Sequence, residues 1–216
     1  MPIPMSVSTR KKSSGRPTRA EKAQATRRAL IEAAAHVVGE HGYAEASIAR
    51  ITQRANVALG TFYNYFETRQ ALFDILLPEL GQDLIEFVGT RVAGSGTTLE
   101  MEERGFRAFF EYLAENPGFY RILNEAETMA PAAHRQHFEE LTRRYVAALR
   151  RGLARGELGP FEESELETVV YLLMAARSYL TLRFGLDRGK LPDRVVGTYM
   201  KFVRGAFAGE PDSLPG

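Results

Sequence analysis

The residues between positions 60 and 64 combine side chains that can contact a nucleic acid. They are Gly60, Thr61, Tyr63 and Asn64. A glycine lets the backbone approach a phosphate or a base edge closely, because it has no side chain. Threonine can exchange a hydrogen bond or touch a thymine methyl group, tyrosine offers a phenol to a phosphate, and asparagine can pair with adenine through two hydrogen bonds. These residue types indicate contacts in a DNA groove.

The sequence before them predicts two short helices around a tight turn. Ser47 is a favourable N-cap, and Ile48, Ile51 and Ala55 follow at the spacing of one helical face. Asn56 tolerates turn geometry and interrupts the first helix.

The second helix is predicted from about residue 59 to residue 66. Phe62 and Phe66 are four residues apart and should face inward together, so the four polar and small residues point roughly away from that core. Packing and exposed chemistry therefore agree on a helix-turn-helix. Short helix pairs with this spacing also occur in ordinary bundles, in which Tyr63 or Tyr65 would be core aromatics.

Residues 26–77 resemble the tetracycline-repressor (TetR) family of bacterial one-component regulators. The positions that carry the resemblance are Gly42, Ser47, Ile51, Ala55, Val57, Gly60, Tyr63, Tyr65, Phe66, Leu72 and Phe73. Two positions depart from the family pattern. Ala58 and Leu59 stand where the family often has serine followed by lysine or arginine, and Arg69 stands in place of a lysine soon after the phenylalanine. The first departure affects one familiar base or phosphate contact and leaves the fold unaffected.

The resemblance implies a dimeric regulator, most often a repressor, that a small organic ligand releases from a palindromic operator in double-stranded DNA. With the polar and basic residues around the motif, the predicted DNA-contacting set is Arg16, Arg19, Thr26, Ser47, Gly60, Thr61, Tyr63, Asn64, Tyr65 and Arg69. No cofactor is implied.

Composition fits an ordinary globular protein of one or two domains. The chain has 216 residues, of which 44% are hydrophobic and 25% charged, and it contains no cysteine. No stretch has the ~18 uncharged apolar residues of a membrane span, and residues 1–12 lack the apolar segment of a secretory signal. We therefore expect a cytoplasmic protein without a membrane partner, disulfides or thiolate metal sites.

Charge is distributed unevenly along the chain. Residues 1–70 contain 11 Lys and Arg against 5 Asp and Glu, a net +6, whereas the remainder has a net −5. A basic N-terminal part followed by an acidic remainder is expected of a protein that binds the phosphates of a nucleic acid with one end only. Residues 1–17 form a predicted disordered basic arm, in which Arg16 could enter a minor groove. The arm could equally be a solvated leader without a partner.

Every periodic segment after the motif is helical, so the predicted fold is all-α with about nine helices. The capping-box residues Thr18 and Glu21 predict that the first helix starts near Arg19. The expected organisation is an arm at 1–17, a helix-turn-helix domain at 18–67, a ligand-binding and dimerisation bundle at 68–210, and a tail at 211–216.

No convergent catalytic set is visible, so no enzyme is predicted. The chain has no nucleophile elbow, phosphate-binding glycine loop or His-Glu-x-x-His motif. His134 and His137 could share a helix face as metal ligands, but two surface histidines near a helix N-terminus are favoured, because a metal site needs further ligands.

Aromatic residues on the middle helices are either core or the wall of a cavity for the effector that the resemblance implies. The predicted ligand-binding set is Phe109, Tyr112, Phe119, Tyr120, Tyr145 and Arg177. Apolar walls with a few polar groups suit a largely apolar organic ligand, with an acidic group as one option. Arg177 lies in a nearly uncharged run and must be paired, by a carboxylate such as Glu125 or Glu127 or by an anionic ligand. Structural pairing is favoured.

The last two long helices are predicted to form a homodimer interface. The run 164–186 is apolar almost all round, so both of its faces should be covered, and residues 195–207 add a second apolar face that includes Val203. An apolar surface of this size normally marks an interface.

Two other classes of protein remain open: an all-α enzyme or ligand carrier with an incidental helix-turn-helix, and a DNA-organising protein that needs no ligand.

Overall fold

The computed structural model describes residues 18–185 and 191–209, and that part of the chain contains nine α-helices and no strand. The helices are α1 (Arg19–His41), α2 (Ile48–Arg54), α3 (Leu59–Phe62), α4 (Arg69–Val92), α5 (Thr98–Glu115), α6 (Phe119–Met129), α7 (Pro131–Ala154), α8 (Leu166–Leu180) and α9 (Asp193–Ala208). The 3-10 helix Glu163–Glu165 precedes α8, and the π-helical segment Thr181–Gly185 follows it. The predicted all-α fold is confirmed.

Some predicted features lie outside the described residues, namely the arm at 1–17 with Arg16 and the tail at 211–216. Within the described ranges, no helix is both long enough and apolar enough to cross a bilayer.

Helix ends follow the local sequence. Thr18 Oγ1 accepts a hydrogen bond from the Glu21 amide at 3.2 Å, while the Glu21 carboxylate accepts one from the Thr18 amide at 2.7 Å. This reciprocal pair is the predicted capping box, and α1 begins at Arg19 as expected. Gly42 ends the helix at a φ of 85°, a left-handed conformation that favours glycine. Thr68 caps α4 by accepting the Ala71 amide at 3.0 Å.

The described residues form two compact units, and the first is discontinuous in sequence. It combines the described residues up to Gly81 with Glu115–Gln136, and α6 packs against α1 within this unit. Gly39 and Gly118 bring the two helices together, since a Cβ built on either glycine would lie 2.8 Å from the Cα of the other. Only glycine allows such an approach.

Polar contacts reinforce the packing of α6 in the first unit. The backbone amide of Tyr43, just after α1, donates to Glu125 Oε2 on α6 at 2.9 Å. Arg121 Nη1 donates to the Glu40 carbonyl at 2.6 Å. The C-terminal end of α1 is therefore held by α6 through both backbone contact and charged side chains.

The second unit contains Gln82–Ala114 and the described residues from His137 onward. Its core is one apolar cluster, to which α5, α7, α8 and α9 contribute buried residues such as Phe106, Leu149, Val170 and Val203. The predicted functional domains, with boundaries at residues 17, 67 and 210, stay predictions. The two compact units are divided at other positions.

One expectation about the last helices is wrong. Val203 was expected at the homodimer interface, but it is fully buried in the core of its own chain. Its neighbour Phe202 is 70% exposed instead. The outer face of α8 leaves Tyr171, Leu172 and Tyr179 exposed within one chain, and its coverage by a second copy stays a prediction. Hydropathy showed that both helices are apolar, but could not show which of two adjacent residues faces the core.

Candidate nucleic-acid interface

The helix-turn-helix starts as predicted. The hydroxyl of Ser47 accepts the Arg50 amide at 3.3 Å, so Ser47 caps α2. Ile51 is completely buried on the inner face of the helix. The hydroxyl of Thr52 donates to the Ile48 carbonyl at 2.9 Å, which lets this polar side chain lie in the interior.

The turn between the two helices depends on Asn56. Its φ is 55°, the one positive φ of a non-glycine residue in the described chain, and asparagine tolerates this conformation better than most residues. The chain then turns back, and the Val57 amide donates to the Thr52 carbonyl at 3.0 Å. The predicted turn residue is therefore confirmed.

The second helix is shorter than predicted. α3 ends at Phe62 rather than near Phe66, and the next residues form turns in which the Asn64 amide donates to the Thr61 carbonyl at 3.2 Å. Such bonds over three residues tighten a final helical turn. Thr68 caps α4, so the chain has to leave the helical conformation before that residue.

The predicted inner and outer faces of this segment are present despite its length. Phe62 and Phe66 are buried, with ring centroids 5.5 Å apart. On the other side Gly60 and Asn64 are exposed, and Tyr63 is 57% exposed. No atom lies within 4 Å of a Cβ built on Gly60, so its backbone is open to a ligand.

The other predicted contact residues are less accessible. Thr61, Tyr65, Thr26 and Arg69 are half-buried, whereas Arg19 is exposed in the first turn of α1. The hydroxyl of Thr26 donates to the Lys22 carbonyl at 3.0 Å. The guanidinium of Arg69 lies 5.3 Å from the centre of the Phe73 ring and within 3.5 Å of the Ala44 carbonyl, so it contacts the chain itself.

Two exposed residues were not predicted as contacts. Leu59, where the family pattern often has a cation, is 53% exposed beside Gly60 and offers an apolar surface of the kind that touches thymine methyl groups. Arg54 is exposed in the last turn of α2 and forms no ion pair among the described residues. A cation two residues before the turn residue Asn56 was the sequence signal for a further candidate phosphate contact.

The predicted ligand-binding residues are divided between the two units. Phe119 and Tyr120 are buried on α6 in the first unit. In the second unit Tyr112 is buried, and Phe109 and Tyr145 are half-buried.

Arg177, the charged member of that set, is buried and paired, as favoured, but with a different carboxylate. Its Nη2 lies 2.6 Å from Glu102 Oε1 and 2.9 Å from the Tyr145 hydroxyl. The two candidate partners from the sequence were therefore wrong: Glu125 accepts the Tyr43 amide in the first unit, and Glu127 is exposed. Glu102 precedes Phe106 by four residues on the same helical face, so the sequence indicated that its side chain faces inward but not that it pairs with Arg177.

Glu102 is the centre of a buried polar cluster. The hydroxyl of Tyr199 donates to Oε1 at 2.5 Å, and the hydroxyl of Tyr145 donates to Oε2. Burial opposes the charge of Arg177, but Glu102 outweighs it and the pKa of Arg177 is raised. Burial also raises the pKa of both tyrosines, against the opposite pull of Arg177. The cluster is thus one carboxylate and one guanidinium with two protonated phenols.

The histidine pair differs from expectation. His137 is buried and His134 half-buried, so the pair is not on the surface. Burial lowers the pKa of His134. No group of three or more metal-ligating side chains occurs among the described residues.

Residues 30–76 match the family described as bacterial regulatory proteins, tetR family. Several solved structures share the fold. A putative transcriptional regulator from Pseudomonas aeruginosa PAO1 has a TM-score of 0.73 at 22% identity, with 88% of this chain and 94% of that chain covered. The fatty acid degradation regulator FadR from Bacillus halodurans has a TM-score of 0.68 at 17% identity, with coverage of 86% and 97%.

A third structure, FadR from Bacillus subtilis in complex with stearoyl-CoA, has a TM-score of 0.67 at 17% identity and covers 84% of this chain and 98% of its own. At these identities the structures establish the fold, and the matched helix-turn-helix establishes the family. The chain belongs to the TetR family and is a DNA-binding transcriptional regulator.

Proposed function

We propose that the protein is a homodimeric repressor that binds a palindromic operator and is released from it by a small, largely apolar organic ligand. The observation that carries the DNA-reading part is the outer surface of α3 and its following turn. There Gly60, Tyr63 and Asn64 are exposed on the outer side, while Phe62 and Phe66 are buried on the inner side. Asn64 would pair with a base, and Tyr63 would contact phosphate.

A dimer would present two such surfaces to successive major grooves, about 34–36 Å apart or somewhat further on a longer operator. The support for a dimer is the apolar surface that one chain leaves uncovered on α8 and α9, including Tyr179 and Phe202. In a two-fold dimer the same patch from each copy covers the other. The operator would then have the symmetry of the protein.

Ligand control is proposed for the second unit. Half-buried Phe109 and Tyr145 next to a buried polar cluster offer apolar walls and a few polar groups, the usual makeup of a small-molecule site. Phe119 and Tyr120 stay predictions. Stearoyl-CoA, the ligand named for the FadR structure from Bacillus subtilis, is one compound to test.

The primary test is selection of bound duplexes from a random pool, followed by binding measurements on the selected and a scrambled duplex. Asn64→Ala should weaken binding to the selected duplex by about 1–3 kcal/mol, with little effect on the scrambled duplex. Gln136→Ala, which removes an exposed amide on α7, is the matched control and should change neither affinity. Equal losses on both duplexes would show that Asn64 reads no base.

Failure to enrich any sequence would contradict sequence-specific regulation and favour a DNA-organising protein. Ligand control is tested by calorimetry with and without the selected duplex. Only a difference in affinity between the free and DNA-bound states can release the protein, and by reciprocity the duplex must weaken ligand binding by the same factor.

A further inference from the structure

Thr142 on α7 has a buried hydroxyl for which the described part of the chain provides no hydrogen-bond partner. The residue is 8% exposed, and its Oγ1 contacts no donor or acceptor there. Other helical threonines behave differently. Thr26, Thr52 and Thr198 each donate to the carbonyl four residues earlier, at 3.0, 2.9 and 2.8 Å. A buried hydroxyl without a partner lowers stability, so a ligand group that supplied the missing hydrogen bond would be favoured.

The face of α7 around Thr142 is only partly covered within this chain. Phe138, Leu141, Thr142 and Tyr145 follow the spacing of one helical face. The three neighbours pack against the core of the second unit but remain only half-buried. The Tyr145 hydroxyl bonds to the buried Glu102 carboxylate, so this ring is anchored in the interior and is still accessible.

The charged groups beside this face are already compensated. Arg177 is paired with Glu102, and burial keeps Tyr145 and Tyr199 protonated by raising the pKa of each. A ligand carboxylate would therefore have to break the ion pair or remain buried without a counter-charge, and both are costly. This pairing removes the reason for expecting an acidic group on the ligand.

We infer that Thr142 is the polar contact for a neutral organic effector, whose hydroxyl or carbonyl group pairs with Oγ1 while its apolar part lies along Phe138, Leu141 and the Tyr145 ring. The inference rests on the proposed ligand-responsive function and specifies its ligand class. Thr142 thereby determines specificity, because an apolar molecule of the same shape leaves its hydroxyl unpaired.

The first test needs no ligand. Thr142→Val replaces the hydroxyl by a methyl group and should raise the melting temperature of the ligand-free protein by about 2–4 °C, the shift expected when a modest penalty is removed from a chain of this size. Thr52→Val is the matched control, because Thr52 is also buried but its hydroxyl is bonded to the Ile48 carbonyl. This control should lower the melting temperature. A similar decrease for Thr142→Val would overturn the inference.

The second test compares decanol, decanoate and decylammonium by calorimetry on the full-length protein. Decanol should bind at least about tenfold more tightly than either ion, and Thr142→Val should weaken decanol about fivefold, the value of one neutral hydrogen bond. Thr142→Ser keeps the hydroxyl and should retain most of the affinity. Equal or tighter binding of an ion, no binding of decanol, or no effect of Thr142→Val would each refute the assignment.

Retention of the selected duplex is measured on the same samples. Normal DNA retention combined with failure of the decanol test overturns only the ligand assignment. Loss of sequence-specific retention in the wild type overturns the proposed function itself.

Discussion

Phe202 should be a principal contact of the proposed dimer, and Phe202→Ser is the perturbation that tests it. A phenylalanine side chain buries about 150–250 Å² when it is fully covered. Because Phe202 is 70% exposed in one chain, about 100–175 Å² remains to be covered by a partner. At about 25 cal/mol per Å², the side chain contributes about 3–4 kcal/mol per protomer.

The residue occurs twice in a two-fold dimer, so the upper bound for both copies is about 6–8 kcal/mol. Area overestimates association free energy, because ordering and desolvation costs are not included. We therefore expect Phe202→Ser to raise the dimer dissociation constant at least about a hundredfold, which corresponds to about 2.7 kcal/mol.

Sedimentation equilibrium over a range of protein concentrations measures this change. Val203→Ala provides the contrast, because Val203 is fully buried in its own chain. It should lower the free energy of unfolding while leaving the dissociation constant unchanged. An unchanged dissociation constant for Phe202→Ser, or a monomeric wild type, would refute the proposed interface.

Three further changes test the packing and the charges. Gly118→Ala places a Cβ 2.8 Å from the α1 backbone and should destabilise the protein by about 1–3 kcal/mol in urea unfolding. The control Gly89→Ala has open space around the new Cβ and should stabilise the protein by up to about 1 kcal/mol. Equal effects of the two substitutions would contradict the tight contact. Arg177→Met should cost about 3–5 kcal/mol by leaving the Glu102 carboxylate unpaired, and adding Glu102→Leu should recover part of that loss; strict additivity would speak against coupling. Hydrogen bonds from Arg155 and Thr98 lower the pKa of Glu157 to about 2, so its stabilising effect should be complete above about pH 4.5 and decline as the pH falls toward 2. Acid unfolding of Glu157→Gln should lack this component, and an identical pH profile would exclude it.

Local signals were sufficient to predict much of the fold. The capping box at Thr18, the N-cap at Ser47 and the turn at Asn56 are determined by neighbouring residues, so the sequence contains the whole interaction. The inward pair Phe62 and Phe66 was also predicted, because four-residue spacing fixes a common face even when the helix itself ends early.

Long-range pairing and fine rotational position could not be predicted in the same way. The partner of Arg177 is separated from it by 75 residues, and hydropathy alone cannot choose among distant carboxylates. Phe202 and Val203 are adjacent apolar residues, about 100° apart around the helix. A small rotation decides which of them lies in the core, and that rotation is set by tertiary packing.

The close contact of Gly39 and Gly118 has a consequence for how such regulators can be recombined. The first compact unit contains a segment, Glu115–Gln136, that is separated in sequence from the rest of that unit by residues of the second unit. A chimera that exchanges everything after the helix-turn-helix would replace α6 as well, and a bulkier residue opposite Gly39 would push α1 away. A chimera of two relatives should therefore fold when α1 and α6 come from the same parent protein. The part to exchange is a pair of separated segments rather than one continuous domain.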